Sequence, residues 1–149
     1  MKTFSEVEYQ RPDIAKLSQA IVDYTAAVKA AASAEEVYQL LVDHKAAMDE
    51  YTTMRGLANI RNSIDTRDPF YAGEKAFFHQ EGPKLNLLLR DANDALLASP
   101  FRPQLEEKLG TVFFKNMETS KRFADERIVD DQIRQSQMTQ RYSKVVATA

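Results

Sequence analysis

No cysteine occurs in the 149 residues, which excludes disulfides and thiolate catalysis and leaves reducing and oxidising surroundings equally open. Only four glycines are present, few places for the tight turns that a sheet needs, so long helices are favoured. No apolar run approaches the roughly 20 residues that cross a bilayer. The opening MKTFSEVEYQRPD also lacks the continuous apolar core of a signal peptide. Membrane is therefore not an expected partner, and the expected localisation is cytoplasmic. An excess of one charge is missing too: 20 Lys and Arg against 22 Asp and Glu give a formal net charge of -2, so no broad field recommends nucleic acid. The Gly-x-x-x-x-Gly-Lys phosphate pattern and the nucleotide-binding glycine cluster do not occur either.

What is present is one ordinary domain's worth of apolar surface: 44% apolar and 28% charged residues. The periodicity predicts an all-α fold of long antiparallel helices forming a helical lobe. Residues 1–11 read as an arm or extended strand packed by Phe4, Val7 and Tyr9, stopped by Arg11-Pro12. A first helix follows Pro12, with Ile14, Leu17, Ile21, Tyr24 and Val28 on one side. Ser33 and Glu36 have the spacing of a capping box, opening a second helix of about thirty residues that runs to Ile64, with a possible bend at Met54-Arg55-Gly56. The third should run from 68 to about 98 on Phe70, Phe77, Phe78, Leu85, Leu88, Leu89, Ala92 and Leu96, with a kink or short break at Gly82-Pro83. A turn at 99–103 precedes a fourth helical face of Leu105, Leu109, Val112, Phe113 and Met117, within which Gly110 permits close packing. A more polar helix starts at Asp125 and carries Ile128, Ile133, Met138, Tyr142 and Val145.

Residues 54–71, MRGLANIRNSIDTRDPFY, are the most specific stretch. Leu57, Ile60 and Ile64 recur at spacings of three and four and share one helix side, which Arg55 and Arg61 leave for polar surroundings. Asp68 is placed to accept from the first free amides of the next helix, and Pro69 falls where a missing amide costs nothing. Asp68 and Pro69 are therefore assigned as a structural hinge. A local charge network of Arg61, Asp65 and Arg67 is a further expectation there.

Tyr9, Arg11 and Pro12, the helix end LANIRNSIDT, the aromatic pair Phe70-Tyr71 and the later SPFRPQLEEKLG occur in an order that resembles the N-terminal region of the oligoendopeptidase F-like zinc metallopeptidases, relatives of the thimet oligopeptidases. The resemblance covers nearly all of the chain. It implies the N-terminal substrate-channel lobe of a zinc-dependent oligoendopeptidase that hydrolyses peptide bonds in oligopeptides. A C-terminal catalytic domain of the same protein would lie beyond residue 149 and supply the zinc ligands and the general-base glutamate. The chain itself lacks the His-Glu-x-x-His in which one helix face offers two histidines to zinc. His44 is followed by Lys-Ala-Ala-Met and His79 by Gln-Glu-Gly-Pro, so neither spacing serves. No catalytic, cofactor-binding or metal residue is assigned here, and the segment alone is expected to be inactive.

Packing competes with chemistry at every remaining candidate. His44 and His79 read as polar positions beside packed faces. The pairs Glu35-Glu36, Asp49-Glu50, Glu106-Glu107 and Asp130-Asp131 sit on neighbouring positions about 100 degrees apart on a helix, which does not make a facing dyad. Tyr51, Arg55, Asn59 and Arg61 are candidate channel-facing residues, since a helix lining a peptide channel presents aromatic surface and hydrogen-bond donors. The alternative from another class is a freestanding, noncatalytic helical module whose Phe70, Tyr71, Phe77 and Phe78 hold a peptide or partner helix; as core residues the same aromatics would merely pack.

Overall fold

The computed structural model describes residues 6–123 together with Met138, Tyr142 and Val146. Among the described residues the regular structure is helical: α1 Ile14–Ala30, α2 Ala34–Ile64, α3 Pro69–Leu97, α4 Arg102–Leu109 and α5 Thr111–Phe123. The chain divides into two compact units, Met1–Lys108 and Leu109–Ala149.

In the first unit each long helix begins on a side chain that takes up an otherwise unpaired amide. Asp13 accepts from the Lys16 amide at 3.0 Å, and Ser33 accepts from the Glu36 amide at 3.2 Å. The Glu36 carboxylate reaches back to the Ala32 amide at 2.9 Å, one residue earlier than the usual box, so the 31–33 loop is closed from both sides. Such a short loop returns α2 against α1, and the loop at 65–68 does the same for α3, so all three helices pack pairwise. Ile21 and Val28 of α1, Val37, Leu57 and Ala58 of α2, and Phe78, Leu85, Ala92 and Leu96 of α3 form the core. Burying each of the larger of these contributes roughly 1.5–3 kcal/mol. Ser99 accepts from the Phe101 amide at 3.3 Å in the expected turn, and α4 then returns Lys108 to α2, where it pairs with Glu35 and lies 4.9 Å above the Tyr38 ring.

Two expectations change, and α2 and α3 run unbroken through the two places where a bend, kink or break was expected. Ile60 and Ile64 do not share the burial of Leu57: they are 50% and 73% exposed against 5%. The cause is length, because α2 has 31 residues and α1 has 17, so the last turns of α2 extend past α1 and lack a neighbour on that side. Glycine at 56 leaves α2 unbroken. At Gly82-Pro83 there is no break either, since α3 continues through Pro83 with Phe78 and Leu85 buried on either side. The expected fourth face is two helices: Gly110 has φ +85°, a left-handed conformation that ends α4, and Val112 is 66% exposed.

In the second unit α5 buries Phe114 completely, with Phe113 edge-on to it at 5.2 Å. The helix expected from Asp125 lies outside the described residues apart from Met138 and Tyr142, which are helical, and Phe4 lies outside them too. Among the described residues no helix is long and apolar enough to cross a membrane.

Candidate functional site

The 65–68 loop is built from two aspartates. Asp65 accepts from the Arg67 amide at 3.0 Å, with the Arg67 guanidinium 3.6 Å away, and Asp68 accepts from the Phe70 amide at 2.8 Å. Pro69 occupies the first helical position, where its missing amide costs no hydrogen bond. One turn further on, Glu74 falls on the buried face of α3, four residues after Phe70 and four before Phe78. It is 2% exposed, a burial that a carboxylate tolerates only when paired and hydrogen-bonded.

The arm before α1 supplies those partners. Arg11 donates to both Glu74 oxygens, through Nε at 3.0 Å and through Nη2, and the Tyr9 hydroxyl donates to Glu74 as well. The Arg11 guanidinium also lies 4.7 Å over the Phe77 ring, while Tyr9 meets Phe70 and Tyr71 edge-on at 5.9 and 5.8 Å. Arg61 completes the clamp from α2, donating to the Tyr71 hydroxyl and to the Val7 carbonyl, each at 2.6 Å. Hydrogen bonding from Arg11 holds the Glu74 carboxyl below the usual carboxylate range, and that same bond raises Arg11. Burial, reinforced by Glu74, raises the Tyr9 hydroxyl well above an ordinary phenol. With both oxygens engaged, Glu74 is a fixed anion and not a free general base.

The candidate channel residues separate into two groups. Tyr51 is 5% exposed, edge-on to Phe78 at 5.6 Å, and the Arg55 guanidinium lies 5.8 Å from its ring. Asn59, two turns beyond Tyr51, is half-buried, whereas Arg61 belongs to the clamp with Val7 and Tyr71. A cleft of about 310 Å³ opens beside Tyr51 between the arm and α1, with Arg11, Lys16 and Glu50 on its walls. His44 is half-buried and stacked on Tyr24 at 4.2 Å; burial lowers its pKa and pushes that of Tyr24 up to about 12. His79 is exposed. Among the described residues no three His, Asp or Glu side chains form a group able to hold a metal ion, so zinc does not fit on them.

Glu74 was not singled out by sequence reasoning, although its position on the apolar stripe of α3 is the signal that marks it. Of the four aromatics in the module reading, Phe78 is core, Tyr71 and Phe77 lie under Arg61 and Arg11, and Phe70 stays 54% exposed. They do not form one open patch.

Residues 4–124 match the Peptidase M3 N-terminal domain. The chain belongs to that family. Among solved structures, PZ peptidase A with an inhibitor is 35% identical over 99% of this chain, with a TM-score of 0.88, and a protein assigned as oligoendopeptidase F is 34% identical over 100%, also at 0.88. A protein assigned as oligoendopeptidase F from Bacillus anthracis is 28% identical over 99%, at 0.87. This M3 domain spans 26 to 27% of the length of those chains. It corresponds to their N-terminal, noncatalytic helical part. No curated protein matches it.

Proposed function

We propose that this M3 N-terminal domain is the substrate-channel lobe of a zinc-dependent oligoendopeptidase in the cytoplasm. In this reading it works with a C-terminal catalytic domain of the same protein, encoded beyond residue 149, and confines oligopeptides for hydrolysis. The observation that carries it is the family match over residues 4–124 joined to a likeness over 99 to 100% of the chain with peptidases that are about four times as long. Zinc would be held by residues outside those described. Within the lobe, Arg55 and Asn59 offer hydrogen-bond donors along α2 to an extended peptide, Tyr51 sets the surface beneath Arg55, and Arg61 fixes the hinge that positions them.

The test is hydrolysis of an internally quenched oligopeptide by the 149-residue chain and by the protein encoded by the intact gene. Chelator-sensitive cleavage by the longer protein and none by the lobe is the expected result. Zinc-dependent turnover by the lobe alone, or an intact gene that encodes no His-Glu-x-x-His, would overturn the proposal. R55A and N59A in the longer protein should raise KM with little change in kcat if these side chains touch peptide; an unchanged KM would remove them from the channel.

A further inference from the structure

At the α2–α3 turn the apolar side of α2 outruns its cover. Leu57 is 5% exposed, whereas Ile60 and Ile64, which continue the same side past the reach of α1, are 50% and 73% exposed. Across the 65–68 loop, Phe70 is 54% exposed although its ring is held in place, edge-on to Tyr9 at 5.9 Å and to Tyr71 at 4.9 Å. Exposed apolar residues that stand singly need no explanation, and Val22, Val42 and Leu87 are of that kind, one on each long helix. Ile60, Ile64 and Phe70 instead bracket one turn. The backbone beneath them is braced, because Asp68 caps α3 and Arg61 joins the Tyr71 hydroxyl to the Val7 carbonyl. In the loop Asp65 and Arg67 add polar groups of both signs, with the Arg67 side chain 93% exposed. An apolar centre with a charged rim is the composition of an interface.

We propose that this end is the seat of the lobe on the remaining part of the same peptidase chain, an apolar face of which covers Ile60, Ile64 and Phe70. The assignment rests on the reading of the chain as the lobe of a longer oligoendopeptidase. Size selects that occupant. A specific complex between separate chains uses roughly 20–30 residues a side and about 800 Å² per partner, far more than three side chains and a loop provide, which counts against a second copy or a free partner. A segment on the same chain needs much less contact, since the covalent link itself sets a high effective concentration. The related peptidases have such a segment: this domain spans 26 to 27% of their length, so most of each chain lies outside it. The clamp of Arg11, Glu74 and Arg61 then has a second use, because it stiffens the end on which the two parts meet.

Hydroxyl-radical footprinting read by mass spectrometry compares the 149-residue chain with the protein encoded by the intact gene. Oxidation of Ile64 and Phe70 should fall about fivefold in the longer protein, as exposures of 73% and 54% drop to those of an interface core. I60A/I64A should leave the urea midpoint of the 149-residue chain unchanged or slightly higher, alanine being the better helix former, and should lower the midpoint of the longer protein. Equal oxidation in the two proteins overturns the seat, as does an equal loss of midpoint in both. So does low reactivity of Ile64 and Phe70 already in the 149-residue chain, for then a second copy or another part of these residues covers them. The readout is side-chain cover and not turnover. A longer protein that cleaves oligopeptide yet leaves Phe70 reactive removes the seat alone, whereas an intact gene without a catalytic region removes both readings.

Discussion

Arg11 and Glu74, 63 positions apart in sequence, meet in a two-point ion pair that fastens the N-terminal arm to the first turns of α3. The pair is lopsided: the Glu74 side chain is 3% exposed and that of Arg11 is 55% exposed. Its carboxylate therefore depends on the arginine far more than the arginine depends on it. Losing the cation strands a buried charge, whereas losing the charge strands a cation that water already solvates.

From that asymmetry, R11A should lower the urea midpoint more than E74Q, because glutamine still accepts from Tyr9 and carries no charge. The double variant R11A/E74Q should be more stable than R11A alone. A double-mutant cycle of unfolding free energies measures the coupling, and strictly additive effects would contradict the clamp.

Acid should weaken the same clamp. The folded-state pKa of Glu74 is depressed, so its contribution is fully present above the unfolded value of about 4.5. Below that value the unfolded chain takes up a proton that the folded chain still refuses, and stability falls until the depressed pKa is passed. E74Q should flatten this part of the pH dependence. Unfolding free energies of the two proteins, measured across the acid range, provide the comparison.

His44 should act in a separate window. Burial lowers its folded pKa below 6.5, so stability is complete above that value and declines as pH drops beneath it, because the unfolded histidine protonates first. H44F should retain the stack on Tyr24 and remove this dependence without altering the Glu74 limb. The difference in unfolding free energy between the two proteins, followed from neutral pH to about pH 5, should grow as pH falls.

At the hinge, D68A removes the acceptor 2.8 Å from the Phe70 amide and should cost roughly 0.5–2 kcal/mol of unfolding free energy. Asparagine at 68 should restore most of the loss. An unchanged free energy for D68A, in a chain that is folded beforehand, would remove the capping role.

What could be read from sequence is what depends on near neighbours. Asp68 with Pro69, and Ser33 with Glu36, act within one turn, so residue type and spacing were enough to place the starts of α2 and α3. The rest turned on distances that no local pattern carries. Whether Ile60 and Ile64 are covered depends on how far α1 extends, and Glu74 gains its meaning from Arg11. Arg61 was read as channel-facing and as a local partner of Asp65 and Arg67, and its bonds to the Val7 carbonyl and the Tyr71 hydroxyl depend on segments that no nearby residue announces. Gly110 was visible, but spacing does not distinguish a glycine that lets helices approach from one that takes a positive φ and divides them.

The arm also has a consequence for the order of events at the ribosome. Val7, Tyr9 and Arg11 leave the exit tunnel before their partners Arg61, Phe70, Tyr71, Glu74 and Phe77, which follow more than fifty residues later. At about 5–20 residues per second, the arm waits on the order of several seconds while α1 and α2 are made. A rare-codon pause placed far enough beyond Phe77 for that residue to have left the tunnel would give the clamp time to form, and one placed before Arg61 would only prolong the interval in which Tyr9 and Arg11 are free to meet other partners.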